Sequence, residues 1–207
     1  MQKIVIWGAA SGLGAAMVEH FVALGYDVTG VARNPSKNPF LAQVATLVCD
    51  ATDPQQVVSA VEQIPSDAWV ISSMGSFQAQ VAVDYIGHRH LIDALQAKQV
   101  KRFLMVTSLG CGDTWPFLSD KAKAVFGGAV REKSLAESWL QSSALDYTIL
   151  RPGGLKDGAS NGLGVLSQSG EVHGSIARGE VAALVAQLLE SEDSINQIYQ
   201  CVEKCVE

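Results

Sequence analysis

The chain has 207 residues, 48% of them hydrophobic and 17% charged, with a formal net charge of −6. This length predicts one domain with a substantial core, and the composition is ordinary for a globular protein. An acidic chain without a basic run lacks the cationic face that nucleic-acid binding requires. No apolar stretch approaches the ~18 residues of a membrane span. We therefore expect neither a nucleic-acid nor a membrane partner.

Short apolar runs alternate with segments of helical periodicity along the chain. The first run predicts a strand over residues 3–7 rather than a signal peptide, because it leads into a glycine-rich turn. The helix after this turn is expected to stop at Gly25, since glycine favours helix ends. Its apolar side chains recur at helical spacing: Leu13, Met17, Phe21 and Leu24.

The remaining elements continue this alternation. Strands are predicted over residues 27–32, 45–49, 68–72, 102–107 and 145–150, and helices over 54–63, 81–98, 130–141 and around 181–189. Residues 197–202 are expected to add an edge strand, and residues 153–170 to form a loop. The strands are apolar throughout, as in sheets covered on both faces. The pattern predicts an α/β fold, a Rossmann-type doubly wound parallel sheet, in a single domain over residues 1–207.

The segment WGAASGLGAAM carries three glycines between the first strand and the first helix. In a doubly wound sheet this turn lies where a dinucleotide binds, with the pyrophosphate at the helix N-terminus. We expect Gly8 to permit the tight turn, Gly12 the close approach of the phosphates, and Gly14 the packing of helix on strand. A P-loop is excluded, because no Gly-Lys-Ser/Thr follows. The other residues of the predicted phosphate-binding turn are Ala10, Ser11 and Leu13.

The spacing Gly-x-x-x-Gly-x-Gly resembles that of the short-chain dehydrogenase/reductase superfamily. The residue after the second strand selects the cofactor, because a carboxylate there binds the ribose 2′-hydroxyl of NAD. This chain has Arg33 at that place, with Lys37 nearby. A guanidinium suits a 2′-phosphate, so NADP(H) is favoured over NAD(H). The alternative is a solvated surface arginine.

Further cofactor contacts are predicted after the third and fourth strands. Asp50 and Ala51 follow the third strand, where Asp50 would either meet the adenine or cap the next helix. The residues predicted to contact the cofactor after the fourth strand are Ser73, Met74 and Gly75.

Conventional members of that superfamily use a Tyr-x-x-x-Lys pair after the fifth strand. Lys133 lies after this strand, but Ala129 occupies the position four residues before it. Tyr85 is followed by arginine at the fourth place, and Tyr147 lies inside the sixth strand. A conventional carbonyl–alcohol dehydrogenase is therefore not expected.

Three longer segments resemble the atypical short-chain family, which includes NmrA-like NAD(P)H-binding proteins and the biliverdin-IXβ/flavin reductases. They are VDYIGHRHLIDALQAKQVKRFLMVTSLGCGD, REKSLAESWLQSSALDYTILRPGGLKD and IARGEVAALVAQLLE. The resemblance covers nearly the whole chain, and LDYTILRPGGL is its most specific block. It implies a Rossmann fold that binds NAD(P)H.

The resemblance also implies roles for single residues. Thr107 and Ser108 match hydroxyl residues beside the nicotinamide, and Lys133 matches a lysine that hydrogen-bonds the nicotinamide ribose. Ser108 and Lys133 are thus the predicted catalytic residues. Without this role, Lys133 would be an exposed helical lysine paired weakly with Glu137. Some flavin and biliverdin reductases have a histidine where this chain has Gly154. The turn expected to face the nicotinamide amide is Pro152, Gly153 and Gly154.

Hydride transfer to a conjugated acceptor, such as a flavin, a bilin or a quinone-like molecule, needs orientation more than acid–base help. A site without a catalytic tyrosine suits this chemistry, with the proton supplied by solvent and Ser108 orienting acceptor or nicotinamide. The acceptor is expected in an apolar cleft formed by loops around residues 74–80, 110–128 and 153–175. Its candidate lining residues are Met74, Phe77, Trp115, Phe117 and Leu155.

Two other functions stay open. A non-catalytic NADP(H)-binding, NmrA-like redox sensor or regulator would use the same fold and glycine turn. A sensor could fill the acceptor space with side chains, whereas a reductase needs that space open over the nicotinamide. A nucleotide-sugar epimerase or isomerase would need the tyrosine, and a larger substrate domain than the residues after the sixth strand provide.

The cysteines and histidines are expected to carry no special chemistry. The four cysteines are predicted to be free thiols in a reducing cytoplasm, and no set of them forms a metal site. His88 and His90 are expected to face solvent on a helix.

Overall fold

The structure, a computed structural model, describes residues 1–76 and 82–204. The helices within these residues are α1 Gly12–Ala23, α2 Pro54–Glu62, α3 Ile86–Lys98, α4 Asp120–Gln141 and α5 Arg178–Glu190. The strands are β1 Lys3–Trp7, β2 Asp27–Ala32, β3 Ala45–Val48, β4 Trp69–Ser72, β5 Arg102–Val106, β6 Asp146–Pro152, β7 Gly154–Lys156, β8 Gly164–Ser167, β9 Ser175–Ala177 and β10 Gln197–Glu203.

The main sheet of the described residues has the strand order β3-β2-β1-β4-β5-β6-β10-β8. Its pairings are parallel up to β10, which pairs with β8 in the antiparallel sense. The early strands lie on one side of β1 and the later strands on the other, so the topology reverses between β1 and β4. Ligands of such sheets bind at this reversal, outside the carboxyl ends of the strands. The predicted Rossmann-type fold is confirmed.

Two apolar clusters cover the two faces of this sheet. One joins alternate strand residues to α2, α3 and α4, and includes Val57, Leu91 and Ala136. The other joins the opposite strand residues to α1 and α5, and includes Phe21 and Val185. Burying one such large apolar side chain contributes roughly 1.5–3 kcal/mol. This double coverage explains why the strands are apolar throughout rather than alternating.

The bounds of β1 and β2 agree with the prediction, and so does the end of α1. Gly25 has a φ of 80°, and the Tyr26 amide donates to the Phe21 carbonyl oxygen at 3.1 Å. A left-handed residue followed by such a bond is how many helices end. The first helix therefore starts and stops at glycines that the sequence alone identifies.

Three predictions about the later part of the chain are wrong. β10 is not an edge strand, because it pairs with β6 on one side and β8 on the other. Residues 153–170 are not only a loop, since they contain β7 and β8. Both strands begin at glycine, which weakens a strand pattern in sequence. Residues 110–128 include a 3₁₀ turn over Gly112–Phe117 and the start of α4, which begins ten residues earlier than predicted.

The N-terminus of α5 is tied to the segment between β7 and β8 by a buried carboxylate. Glu180, 3% exposed, accepts hydrogen bonds from the Ser160 hydroxyl at 2.7 Å and from the amides of Asn161, Gly162 and Gly164 at 2.8–2.9 Å. Burial by itself would raise the pKa of Glu180, but these four donors outweigh it and lower that pKa. The segment is thus held in place by one side chain. Among the described residues, no helix is long and apolar enough to span a membrane.

Candidate active site

Two adjoining cavities lie at the carboxyl ends of the strands. The first, of about 800 Å³, opens over the turn between β1 and α1, and we call it the glycine-turn cavity. The second, of about 650 Å³, is bounded along one side by α4, and we call it the α4 cavity. Because they share wall residues, a ligand in one can contact a ligand in the other. The shared residues are Gly75, Ser76, Ser108, Lys133, Leu155 and Arg178.

The glycine turn has the backbone that a closely approaching ligand needs. Gly8 and Gly12 have φ values of 85° and 56°, which strain any other residue. A Cβ at Gly14 would lie 2.1 Å from the Gly8 carbonyl oxygen, so this glycine permits α1 to pack on the turn. A Cβ at Gly12 would meet only the Arg178 Nε, at 3.8 Å. Bare backbone therefore faces the cavity at the start of α1. Ala10, Ser11 and Leu13 also line it.

Arg33 lies at the far end of the glycine-turn cavity, directly after β2. Its side chain is exposed, and Asn34 and Lys37 line the cavity beside it. Asp50 and Ala51, after β3, line the same end. The cavity thus has a basic end near the carboxyl edge of β2 and β3, distant from the wall that it shares with the α4 cavity.

Asp50 does not cap α2, contrary to one of the two alternatives drawn from sequence. Its Oδ1 accepts from the amide and the hydroxyl of Thr52 at 3.0 and 2.8 Å. The Thr52 amide, with smaller contributions from the Thr52 hydroxyl and the Arg33 guanidinium, lowers the pKa of Asp50 in spite of its burial. The cap is Asp53, whose side chain accepts from the amides of Gln55 and Gln56.

Lys133 stands in the wall between the two cavities, and its partner is not Glu137. Its Nζ lies 2.7 Å from Oδ1 of Asp84, which is fully buried. The same Nζ donates to the Met74 carbonyl oxygen at 3.4 Å. The other oxygen of Asp84 accepts from the amide and the hydroxyl of Ser76 at 3.0 and 2.9 Å. The ammonium is therefore held at a fixed place, and the alternative of an exposed helical lysine paired with Glu137 is wrong.

A buried histidine lies behind this ion pair, and the prediction that His88 faces solvent is wrong. His88 is fully buried. Its Nδ1 lies 2.7 Å from the Asp84 carbonyl oxygen, and its Nε2 lies 2.9 Å from the Ser72 hydroxyl. A carbonyl only accepts, so we assign the proton to Nδ1, and Nε2 accepts from Ser72. Burial, with a smaller effect of the Lys133 charge, lowers the pKa of His88 to about 4. The imidazole is neutral and fixes the backbone that carries Asp84.

The Glu137 carboxylate belongs to a second buried hydrogen-bond network, at the end of β5. Arg151 of β6 donates to both of its oxygens, from Nε at 3.0 Å and from Nη2 at 2.6 Å. The Thr107 hydroxyl donates to the same carboxylate at 2.6 Å. Ser108, the next residue, lines both cavities. This network joins β5, β6 and α4, and so fixes Ser108 and Lys133 relative to each other.

The turn after β6 closes one side of the α4 cavity, which Pro152, Gly153 and Gly154 line. The Gly154 amide donates to the Gly174 carbonyl oxygen at 3.0 Å. A Cβ at Gly153 would lie 2.4 Å from that same oxygen. The neighbouring residue His173 lines the cavity as well. The structure thus brings a histidine from a separate segment beside the turn in which the sequence has only glycine.

The predicted acceptor-lining residues are only partly brought together. Phe117 and Leu155 line the α4 cavity and are 39% and 38% exposed. Trp115 does not line it; its ring instead packs against the side chains of Arg131 and Lys123, with the Arg131 Cζ 4.8 Å from the centroid. Met74 is buried and lines the glycine-turn cavity instead. Phe77 lies outside the described residues.

Sequence reasoning missed several wall residues. Arg178, at the start of α5, lines both cavities, and Asp84 holds Lys133. Neither lies in a glycine turn or directly after a predicted strand, so no local pattern identified them. Apolar residues missed in the α4 cavity are Leu109, Leu118, Phe126, Val130 and Val172.

The residues present fit a nicotinamide dinucleotide. A row of glycines faces the cavity at the N-terminus of a 12-residue helix, where anions bind. The Nε of Arg178, 3.8 Å from the Cβ position of Gly12, is buried and has no hydrogen-bond partner among the residues that the structure describes. A buried donor without a partner at such a place marks a site for an acceptor atom.

Comparison with known proteins agrees with this geometry. A family model described as NAD(P)H-binding matches residues 8–192. The solved structure of ChuY, an anaerobilin reductase from Escherichia coli O157:H7, has 43% sequence identity and a TM-score of 0.91, and the match covers 100% of this chain and 99% of that one.

Curated relatives include the chloroplastic protein TIC 62 of Oryza sativa subsp. japonica, 30% identical over 88% of this chain. The sanguinarine reductase of Eschscholzia californica is 33% identical over 59% of this chain. The chain spans less than half the length of these two relatives, 42% and 45% respectively.

Proposed function

Because the chain belongs to the NAD(P)H-binding family, as an atypical short-chain dehydrogenase/reductase, we propose that it is an NADPH-dependent reductase of a conjugated, bilin-type acceptor. The observation that carries the proposal is the open α4 cavity, which joins the glycine-turn cavity at Ser108 and Lys133. A ligand of each cavity would meet at this wall. The 43% sequence identity with an anaerobilin reductase, over the whole chain, supports the choice of acceptor class.

The cofactor in this proposal is held along the glycine-turn cavity. Gly8 and Gly12 leave room for the diphosphate at the start of α1, Gly14 lets α1 pack on the turn, and Arg33 binds the 2′-phosphate of the adenosine ribose. The reduced nicotinamide supplies a hydride, and a proton from water completes the two-electron reduction of the acceptor. Selection of NADPH over NADH then rests on Arg33, because no carboxylate follows β2 to bind a ribose 2′-hydroxyl.

The chain's own residues orient the reactants. Asp84 holds Lys133 so that its ammonium presents hydrogens at the wall between the cavities, where it binds the nicotinamide ribose. Ser108 lies at the same wall and orients the nicotinamide or the acceptor. Ala129, one turn before Lys133, lines the α4 cavity, so no phenol occupies the place of the conventional tyrosine. Such a site favours an acceptor that takes a hydride without protonation by a tyrosine.

The walls of the α4 cavity suit a large planar acceptor. Leu118, Phe126 and Val130 supply apolar surface, while exposed residues at its rim, Phe117 and Leu155, leave it open to water. A protein that only sensed NADP(H) would not need a cavity of about 650 Å³ beside the nicotinamide position. The open cavity therefore favours the reductase over the sensor.

The test is oxidation of NADPH under anaerobic conditions with biliverdin, FMN or riboflavin as acceptor, followed by absorbance. We expect turnover with biliverdin well above the rate without acceptor, and slower turnover with NADH. If every acceptor leaves NADPH oxidation at background while NADPH binds, the protein is a sensor and the proposal is wrong.

A variant that fills the α4 cavity separates the two sites. Ala129→Phe should abolish acceptor reduction and leave NADPH binding unchanged, because Ala129 lines only the α4 cavity. Ala124→Phe, at an exposed position of the same helix, is the matched control and should keep both acceptor reduction and NADPH binding. Equal activity of the two variants would place the acceptor elsewhere.

A further inference from the structure

Arg178 occupies the place where the glycine turn and both cavities meet. It is the first residue of α5, directly after β9. Helix α5 packs against α1, so its N-terminus lies beside the start of α1. The side chain lines both cavities, and its Nε lies 3.8 Å from the Cβ position of Gly12. The guanidinium therefore faces the backbone that the diphosphate would approach.

One nitrogen of the Arg178 guanidinium has a hydrogen-bond partner, and another, on the side of the glycine turn, has none among the described residues. Its Nη1 donates to Oδ1 of Asp157 at 2.5 Å. Its Nε is buried and unpaired among the described residues, on the side of the glycine turn. A buried donor without an acceptor is costly, and guanidinium groups bind phosphate oxygens through two parallel N–H groups. The free donor thus fits an anionic oxygen above Gly12.

We infer that Arg178 binds the diphosphate of the dinucleotide, at the phosphate on the nicotinamide side. The inference rests on the cofactor binding proposed above. Arg178 shares the wall with Ser108 and Lys133, whereas Arg33 lies at the opposite, adenosine end of the cavity. The two arginines then have separate tasks. Arg33 distinguishes NADPH from NADH, and Arg178 binds the part that the two cofactors have in common.

Asp157 opposes this binding, since its carboxylate lies at the same guanidinium. The Asp157 side chain is 98% exposed, so its ion pair with Arg178 is weak. A diphosphate at Arg178 would be repelled by this carboxylate. Removing the charge should tighten binding of every ligand that carries the diphosphate, and the effect should be largest at low ionic strength.

The experiment is calorimetric titration of NADPH, NADH and adenosine 2′,5′-bisphosphate into the wild type and three variants. The last ligand lacks the nicotinamide-side phosphate. Arg178→Ala should lower the affinities for NADPH and NADH by the same factor, roughly ten- to hundredfold. The affinity for adenosine 2′,5′-bisphosphate should stay nearly unchanged. Arg33→Ala should weaken NADPH and the bisphosphate but not NADH. Asp157→Asn should tighten NADPH and NADH severalfold.

Each other outcome overturns the inference in a recognisable way. An unchanged NADPH affinity in Arg178→Ala, or an equal loss for the bisphosphate, excludes the assigned phosphate. An unchanged NADPH affinity with a raised KM for biliverdin would assign Arg178 to the acceptor. If the wild type binds neither dinucleotide, the proposed function itself fails. If the wild type binds both and only the effect expected of Arg178→Ala is missing, the inference about Arg178 is wrong and the proposed function stands.

Discussion

The glycine-turn cavity and the α4 cavity adjoin each other but are built in different ways. The glycine turn of the first is one continuous segment, in which Gly8, Gly12 and Gly14 lie within seven residues. The walls of the second come from the segment after β5, α4, the turn after β6 and the segment before β9. A backbone site can thus be encoded locally, whereas a side-chain cavity depends on how distant segments meet. The two cavities share one wall, which includes Ser108, Lys133 and Arg178.

The largest expected effect is at the local site. Gly12→Asp should abolish NADPH binding in equilibrium dialysis, because it places a carboxylate and a Cβ where the diphosphate would lie, at a φ of 56°. Gly25→Asp is the matched control, since Gly25 also has a positive φ, 80°, but has nothing within 4 Å of its Cβ position. It should lose a similar amount of stability and keep binding. Loss of binding in both variants would mean that strain, not the site, is responsible.

The shared wall should respond in both stability and activity. Lys133→Met leaves Asp84 as a buried charge without its partner, which should lower the free energy of unfolding by about 3 kcal/mol. The double variant Asp84→Asn/Lys133→Met should recover much of that stability but not the turnover. Chemical denaturation and NADPH oxidation measure the two effects. Lys123→Met, on the same helix, is the control; if it behaves like Lys133→Met, the ion pair has no special role.

The adenosine end of the glycine-turn cavity should affect cofactor choice alone. Arg33→Ala should lower the affinity for NADPH roughly ten- to hundredfold, which corresponds to the loss of one or two charge-assisted hydrogen bonds. The affinity for NADH should stay nearly unchanged. Turnover at saturating NADPH should stay close to that of the wild type, because Arg33 is distant from the α4 cavity. Equal losses of affinity for both cofactors would refute the assignment to the 2′-phosphate.

The smallest expected effect concerns the segment beside the α4 cavity, through Glu180. A carboxyl whose pKa is lowered on folding adds stability above its unfolded pKa, and this is lost as pH falls through the folded pKa. Glu180→Gln should therefore lower the free energy of unfolding by about 1–2 kcal/mol near pH 7, with the difference disappearing in acid below its lowered pKa. Thermal unfolding across pH measures this, with Glu62→Gln at an exposed position as control. A difference that is constant with pH would show that ionisation of Glu180 is not involved.

Much of the fold could be predicted because its signals are local. The apolar runs of β1 and β2, and the glycine that ends α1, gave correct bounds. The failures have physical causes that lie outside a local window. The short strands β7 and β8 begin at glycine and are stabilised by pairing with β9 and β10. His88 has a polar side chain, which predicts exposure, yet it shares the buried face of α3 with Leu91 and Ile92, where Ser72 and the Asp84 carbonyl oxygen satisfy both ring nitrogens.

The candidate site divides in the same way. Residues directly after strands, such as Arg33 and Ser108, were identified because the carboxyl ends of parallel strands meet at one edge. Trp115 was misplaced, since an aromatic residue in a loop has no pattern that tells a cavity wall from a surface ring covered by Arg131. Asp84 and Arg178 were missed for a different reason. Their partners, Lys133 and the glycine turn, are far away along the chain.

The sequence by itself determined the alternation of strands and helices, the glycine turn, and the absence of a tyrosine four residues before Lys133. Each of these depends on neighbouring residues or on the period of one element. Only the tertiary structure decided that Asp84 pairs with Lys133, that His173 lies beside Gly154, and that an open cavity adjoins the glycine turn. Side-chain pairing and empty space depend on where separate segments pack in three dimensions, and no local pattern carries that information.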